Sequence, residues 1–215
     1  MSLYTPSAFV ARDRTAVSRL MHDHPFATLV TPGTPEPFVS HLPLLLVPDC
    51  EPHGTLLGHF ARSNPHAQAA AVETIAVFHG PHAYVSPSWY AEPAKAVPTW
   101  NYAAVHAHGV LAIVEDPVEA RAILDTLVQR FEGVRDAPWT FAMPARQRDA
   151  LVAGIVPFRM RIRRLEAKFK LSQNRSADDR DRVIDALDRE DHPDARATAA
   201  WMRLYAAPGS GGGEG

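Results

Sequence analysis

Three short stretches concentrate the side chains best suited to chemistry. The first is Gly58-His59-Phe60-Ala61-Arg62-Ser63-Asn64-Pro65-His66. Its spelling predicts a strand ending near Phe60, then an arginine and a hydroxyl, then a short helix capped by Asn64 with Pro65 at its first position. A helix start offers free N–H groups and the positive end of a dipole, so with Arg62 added it can hold a phosphate. A capped helix beside a surface arginine has the same spelling. The second stretch runs from Phe78 to Tyr90 and is followed by Val97-Pro98-Thr99-Trp100-Asn101-Tyr102. Aromatics with polar tips can wall a planar heterocycle, and they can equally be core rings next to loop hydroxyls. The third is Lys168-Phe169-Lys170-Leu171-Ser172-Gln173-Asn174-Arg175. Its cations and amides suit an anion or the oxygens of a heterocycle, or else form a solvated basic turn.

Other chemistries find less support. The 11 histidines include the pairs His22/His24, His79/His82 and His106/His108. Strand residues two apart point the same way, which suits zinc or haem. No carboxylate or cysteine stands at metal-ligand spacing, and neither H-E-x-x-H nor G-x-S-x-G occurs, so no metal site and no catalytic residue is assigned. The single cysteine, Cys50, excludes an internal disulfide and reads as a loop thiol.

The elements that must position these groups follow from periodicity and punctuation. A first helix starts after Asp13 and ends before Pro25. Strands are expected over Phe26–Val30, Phe38–Val47, Thr55–Phe60, Thr74–His79, Ala83–Val85, Thr99–Val114 and Phe158–Leu165, with Pro43 marking an edge or bulge and Gly80-Pro81 a turn. Residues 86–99, with Pro87, Pro93 and Pro98, form a long extended loop. Further helices are expected over 117–131, capped by Asp116, over 145–153, and after Ser176 and Pro193. Short links between strands favour antiparallel pairing, hence an α+β fold with a closed or split antiparallel β-barrel flanked by helices.

Composition bounds the function. The formal net charge of −2 gives no basic excess for sequence-independent phosphate binding, so charge offers DNA binding no support. No apolar run approaches the roughly 18 residues of a membrane span, and no signal-peptide pattern opens the chain, so a cytoplasmic location without membrane contact is expected. The chain divides into a barrel over 1–170, a helical extension packed on it over 171–206 and a Gly-rich flexible tail over 207–215.

Taken together, Met21–Phe26, Ser40-His41-Leu42-Pro43, Gly58–His66, Phe78–Tyr90, Val97–His108 and Lys168–Arg175 resemble the PaiB-type family of FMN-binding negative transcriptional regulators. The opening Tyr4-Thr5-Pro6 resembles it too, and the likeness covers Tyr4 to about Leu187. The resemblance implies the FMN-binding split barrel shared with pyridoxamine-phosphate oxidases, in which two subunits pair and FMN lies in grooves between them. It implies that Arg62 and Ser63, with Asn64, meet the FMN phosphate and that His59 sits beside them. Ser40, His41 and Leu42 would follow the isoalloxazine edge through backbone groups. His79 and Gly80 would line the groove, Trp100 and Asn101 would face it from the partner subunit, and Lys170 and Gln173 would add late contacts. A homodimer that represses transcription is the function implied, with DNA reached directly or through another protein. Two alternatives stay open: an FMN-dependent oxidoreductase acting on a small molecule, and a haem-binding split barrel.

Overall fold

Short polar side chains start most of the helices. In the computed structural model, which describes residues 2–50, 52–140 and 142–206, Asp13 caps α1 (Arg14–Asp23) by accepting from the Thr15 and Ala16 N–H groups at 2.9 and 3.3 Å. Asp116 caps α2 (Pro117–Glu132) through the Glu119 N–H at 2.8 Å. The helix α3 covers Ala145–Ala153. Ser176 caps α4 (Ala177–Arg189) through the Asp179 N–H at 3.1 Å, and His192 caps α5 (Pro193–Tyr205). Each such cap contributes about 1 kcal/mol by satisfying an N–H that the helix leaves free. The expected tail over 207–215 lies outside the described residues.

Seven strands form one sheet. They are β1 (Phe26–Thr31), β2 (Phe38–Pro43), β3 (Leu45–Val47), β4 (Thr55–Ala61), β5 (Glu73–Val85), β6 (Thr99–Ile113) and β7 (Ile155–Lys170), in the order β2-β1-β5-β6-β7-β4-β3. The pairings of β1 with β2 and β5, and of β4 with β3 and β7, are antiparallel.

Four elements differ from the sequence expectation. The expected strand over 38–47 breaks at Leu44, whose N–H bonds the Pro25 carbonyl at 2.8 Å, because Pro43 cannot donate to a ladder. Pro43 ends β2, which is an edge strand as expected. The two strands expected around Gly80-Pro81 are one continuous β5. Gly80 allows close approach there instead of a turn: a Cβ on it would lie 3.0 Å from the Leu20 side chain and 3.2 Å from that of Ala103. The helix expected after Asn64 is only a five-residue 3-10 segment, Pro65–Ala69, although Asn64 does cap it. The last strand begins earlier and ends later than expected, spanning 16 residues.

Contacts divide the chain into two compact units. One comprises Met1–His24, Phe78–His106 and Glu166–Gly215; the other comprises Pro25–Val77 and Ala107–Leu165. The first buries Leu20 and Met21 of α1, Phe78, Phe169, and Val183, Leu187, Trp201 and Met202 of the terminal helices. Trp201 meets the Phe169 ring edge-on, with centroids 5.2 Å apart. The second buries Leu29, Leu56, Phe60, Phe158 and Met160, with Phe60 stacked on Phe158 at 4.6 Å. A neighbouring cluster seats Ala120, Ile123 and Leu127 of α2 on Leu57 and Val114.

Candidate functional site

The structure sorts the expected site residues into two groups, one in each unit. Ser40, His41, Leu42, His59, Arg62, Ser63 and Asn64 belong to the unit of β1–β4; His79, Gly80, Trp100, Asn101, Lys170 and Gln173 belong to the other.

In the first group, the end of β4 and the following turn make a corner. Arg62 is exposed. Its Nε donates to the Ala153 carbonyl and its Nη2 to the Ile155 carbonyl at 2.6 Å, tying the corner to the junction of α3 and β7. A guanidinium carries five N–H groups, so three remain for another acceptor. Arg62 also lines a cavity of about 570 Å³ with Arg121, Glu115 and Asp149, the last paired with Arg121 at 2.6 Å. Ser63 is exposed beside it. His59 is half-buried, and its inaccessible Nδ1 has no hydrogen-bond partner among the described residues. Burial holds its pKa below the ordinary imidazole value. The five-residue turn is too short for the macrodipole expected at its start, which leaves Arg62 as the source of positive charge at this corner.

Behind the corner runs a chain of polar groups centred on His66, a residue to which the sequence reading gave no role. The ring is buried and stacked between Phe38 and Phe60, with centroids 5.7 and 4.9 Å away. Its Nδ1 lies 2.9 Å from Ser40 Oγ and its Nε2 2.8 Å from Thr31 Oγ1. Thr31 Oγ1 lies 2.6 Å from Thr74 Oγ1, which donates to the Val72 carbonyl, and Asn64 Nδ2 donates to Ser40 Oγ at 3.1 Å. The network assigns every proton. Thr74 gives its hydrogen to Val72, so Thr31 donates to Thr74. Thr31 therefore accepts from Nε2–H, and the bare Nδ1 accepts from Ser40, whose oxygen accepts from Asn64. Burial also favours this neutral ring by lowering the His66 pKa. Ser40 and Asn64 thus brace the corner from inside. His41 points outward, at 3.1 Å from Thr28 Oγ1, and Leu42 is buried. The one sequence signal for His66 was its place two residues after the Asn64 cap, where its N–H bonds Asn64 Oδ1 at 3.0 Å.

The second group is mostly occupied with its own unit. Asn101 is buried and donates to Ser172 Oγ at 2.9 Å and to Met202 Sδ at 3.3 Å, while Ser172 Oγ donates to Asn101 Oδ1 at 3.2 Å. That exchange holds Ser172 at φ +67°, a left-handed conformation that costs a non-glycine residue about 1 kcal/mol or more. Gln173 accepts from the Leu171 N–H at 2.7 Å and donates to the Phe169 carbonyl. Gly80 is buried, and His79 is exposed. Lys170 differs from these. Its ammonium donates to Thr99 Oγ1 and the Trp100 carbonyl, each at 2.6 Å, and has no carboxylate partner among the described residues. Burial, then nearby Lys168 and Arg175, push its pKa down. The carboxylate missing from the sequence reading of the histidine pairs stands near His106: Ser2 Oγ lies 3.1 Å from His106 Nδ1 and donates to Glu166 Oε2 at 2.7 Å.

Comparison with known proteins identifies the family. Residues 3–164 match the family described as "Putative FMN-binding domain". The chain is 34% identical over 204 residues to the protease synthase and sporulation protein PAI 2 of Bacillus subtilis (strain 168), covering 93% of this chain and 96% of that one. Among solved structures it resembles the FAD and heme binding protein from Mycobacterium smegmatis, with a TM-score of 0.58 at 18% identity over 74% of this chain and 72% of the other. It also resembles the flavocytochrome Anf3 from Azotobacter vinelandii, with a TM-score of 0.57 at 13% identity over 75% and 69% of the two chains. The chain belongs to the PaiB-type FMN-binding family, an α+β split barrel whose cofactor is FMN.

Proposed function

We propose that this protein is an FMN-dependent negative transcriptional regulator that acts as a homodimer, with the FMN phosphate held at the corner of Arg62, Ser63 and Asn64. The observation that carries the placement is that Arg62, already anchored by two carbonyls, keeps donors free next to an exposed hydroxyl. A preset guanidinium loses little entropy on meeting a phosphate and can bind it through paired hydrogen bonds. His59 stands beside this corner, Ser40, His41 and Leu42 bound its inner side, and Lys170 and the exposed His79 supply further polar groups. Asn101, Gln173 and Gly80 act in this reading as structural supports. When bound, FMN supplies one- and two-electron redox chemistry. The residues bind its phosphate and orient its ring. The regulator reading rests on the family resemblance and on the sporulation role in the name of the Bacillus subtilis relative.

Three measurements on the full chain test it. Titrated FMN should lose fluorescence with a one-to-one endpoint per chain. Light scattering should give twice the chain mass of 23.6 kDa. A gel shift should select one sequence and survive raised salt, because a merely electrostatic contact weakens steeply with salt. A monomer that binds FMN would remove the dimer from the proposal. Turnover of a reduced nicotinamide with no specific shift would replace the regulator by an oxidoreductase.

A further inference from the structure

The unit that contains the terminal helices has a cavity in which Trp100 is the single residue expected at the flavin. It measures about 310 Å³, within the range of small-molecule sites. Tyr84 of β5 and Trp100 of β6 wall it on the sheet side, Trp89 joins them from the 3-10 segment Pro87–Trp89, and Leu187 and Glu190 from the end of α4 close it. Tyr84 meets Trp100 edge-on at 6.1 Å and 74°, and the His82 ring lies 6.2 Å from Trp100. These rings are not buried by the fold: Trp100 is 52% exposed and Tyr84 43%. Large aromatic area left open in a concave place is characteristic of a binding site.

The charge of the cavity decides what it takes. Neither lysine nor arginine lines it; its basic side chains are the imidazoles of His82 and His192. Glu190 has no cationic partner among the described residues, whereas Asp194, just beyond the rim, stands 4.0 Å from His82 Nε2. Aromatic faces are negative at their centres, so ring faces and carboxylate present the same sign. An anion would be repelled. A neutral apolar guest would strip water from Glu190 without replacing its hydrogen bonds, which is costly. An organic cation is attracted by both the rings and the carboxylate.

We propose that this cavity binds an organic ammonium ion, with its charged head among Tyr84, Trp89 and Trp100 and Glu190 as the counter-charge. The site shares no residue with the Arg62 corner, and of the residues expected at the flavin only Trp100 lines it.

Choline and its neutral isostere 3,3-dimethylbutan-1-ol test this directly. Both are titrated calorimetrically into the full chain, with and without FMN, at pH 8. Choline should bind at least about tenfold more tightly than the isostere, the difference being the cation. Glu190→Gln should weaken choline by roughly threefold or more and leave the isostere unchanged, a discriminating result for an exposed residue whose loss does not threaten folding. Trp100→Leu should remove choline binding while the unfolding transition persists. Equal affinity for both probes, no choline binding up to about 50 mM, or full choline affinity in Glu190→Gln would each overturn the proposal. FMN affinity in Glu190→Gln should match that of the parent chain. A parent that binds choline and no FMN would count against the flavin corner alone.

Discussion

The corner around Arg62 and the joint around Asn101 are made of the same kinds of residue and dispose of their hydrogen bonds in opposite ways. Both carry an arginine or lysine, a serine and side-chain amides. At the joint, Asn101 and Ser172 bond each other, Asn101 also donates to Met202, Gln173 bonds the backbone, and Asn101 and Ser172 are buried. At the corner, the inner members Ser40, His66 and Thr31 are likewise satisfied, but Arg62 and Ser63 face outward and His59 Nδ1 has no partner among the described residues. Polar residues of one type are therefore sorted by the direction in which their last unused donor points. The corner has an outward face with donors to spare and a satisfied back, and the joint is satisfied throughout.

Substitutions can break or sharpen that contrast. The largest effect is expected at the back of the corner. His66→Ala removes two hydrogen bonds and two ring stacks and leaves Ser40 and Thr31 buried with unmet partners, so chemical denaturation should show a loss of about 2–4 kcal/mol. At the joint, Asn101→Leu strands Ser172 in its left-handed conformation and should cost about 2 kcal/mol, with FMN affinity of the folded protein unchanged. An FMN defect in that variant would erase the distinction between the two regions. On the outer face of the corner, Arg62→Ala should weaken FMN about tenfold or more, read by flavin fluorescence, equivalent to roughly 1.4 kcal/mol. Lysine at the same position should recover only part of it, because a single ammonium cannot reproduce the paired bonds.

The smallest effect is in the pH dependence. Burial lowers the pKa values of His24, His59 and His66 from the ordinary 6.5. The unfolded chain then takes up these protons at higher pH than the folded one. Stability from this source is complete above about 6.5 and is lost as pH falls through that value toward the lower folded values. Urea midpoints at pH 7.5 and 5.5 should show the decline, and His66→Asn should flatten it. A midpoint that rises on acidification would contradict the neutral assignment of these rings.

Much of the framework was legible in the sequence. Asp13, Asp116 and Ser176 announce their helices because capping is local chemistry, complete within four residues. The edge position of β2 was readable from Pro43 for the same reason. Gly80-Pro81 misled because its glycine answers a distant demand, the approach of Leu20 and Ala103, and no local pattern records that. Asn64-Pro65 signalled a helix start correctly, yet the segment stops after five residues. At the site, the residue types of the corner were evident, while His66 was not. Its importance comes from Phe38 and Phe60 closing over it, and from Thr31 and Thr74, which are remote in sequence.

The proton order of the polar chain behind the corner makes an interior titration visible at the surface. An acid that placed a second hydrogen on His66 would put it on Nδ1, the atom that now receives from Ser40. Ser40 would then face two incoming hydrogens, from the ring and from Asn64, with its own left without an acceptor. The conflict would be relieved by a flip of the Asn64 amide that offers its oxygen to the Ser40 hydroxyl, and that oxygen now accepts from the His66 N–H in the turn next to Ser63. A ring with almost no contact with solvent would in this way report acidity to the place where the phosphate is expected to rest.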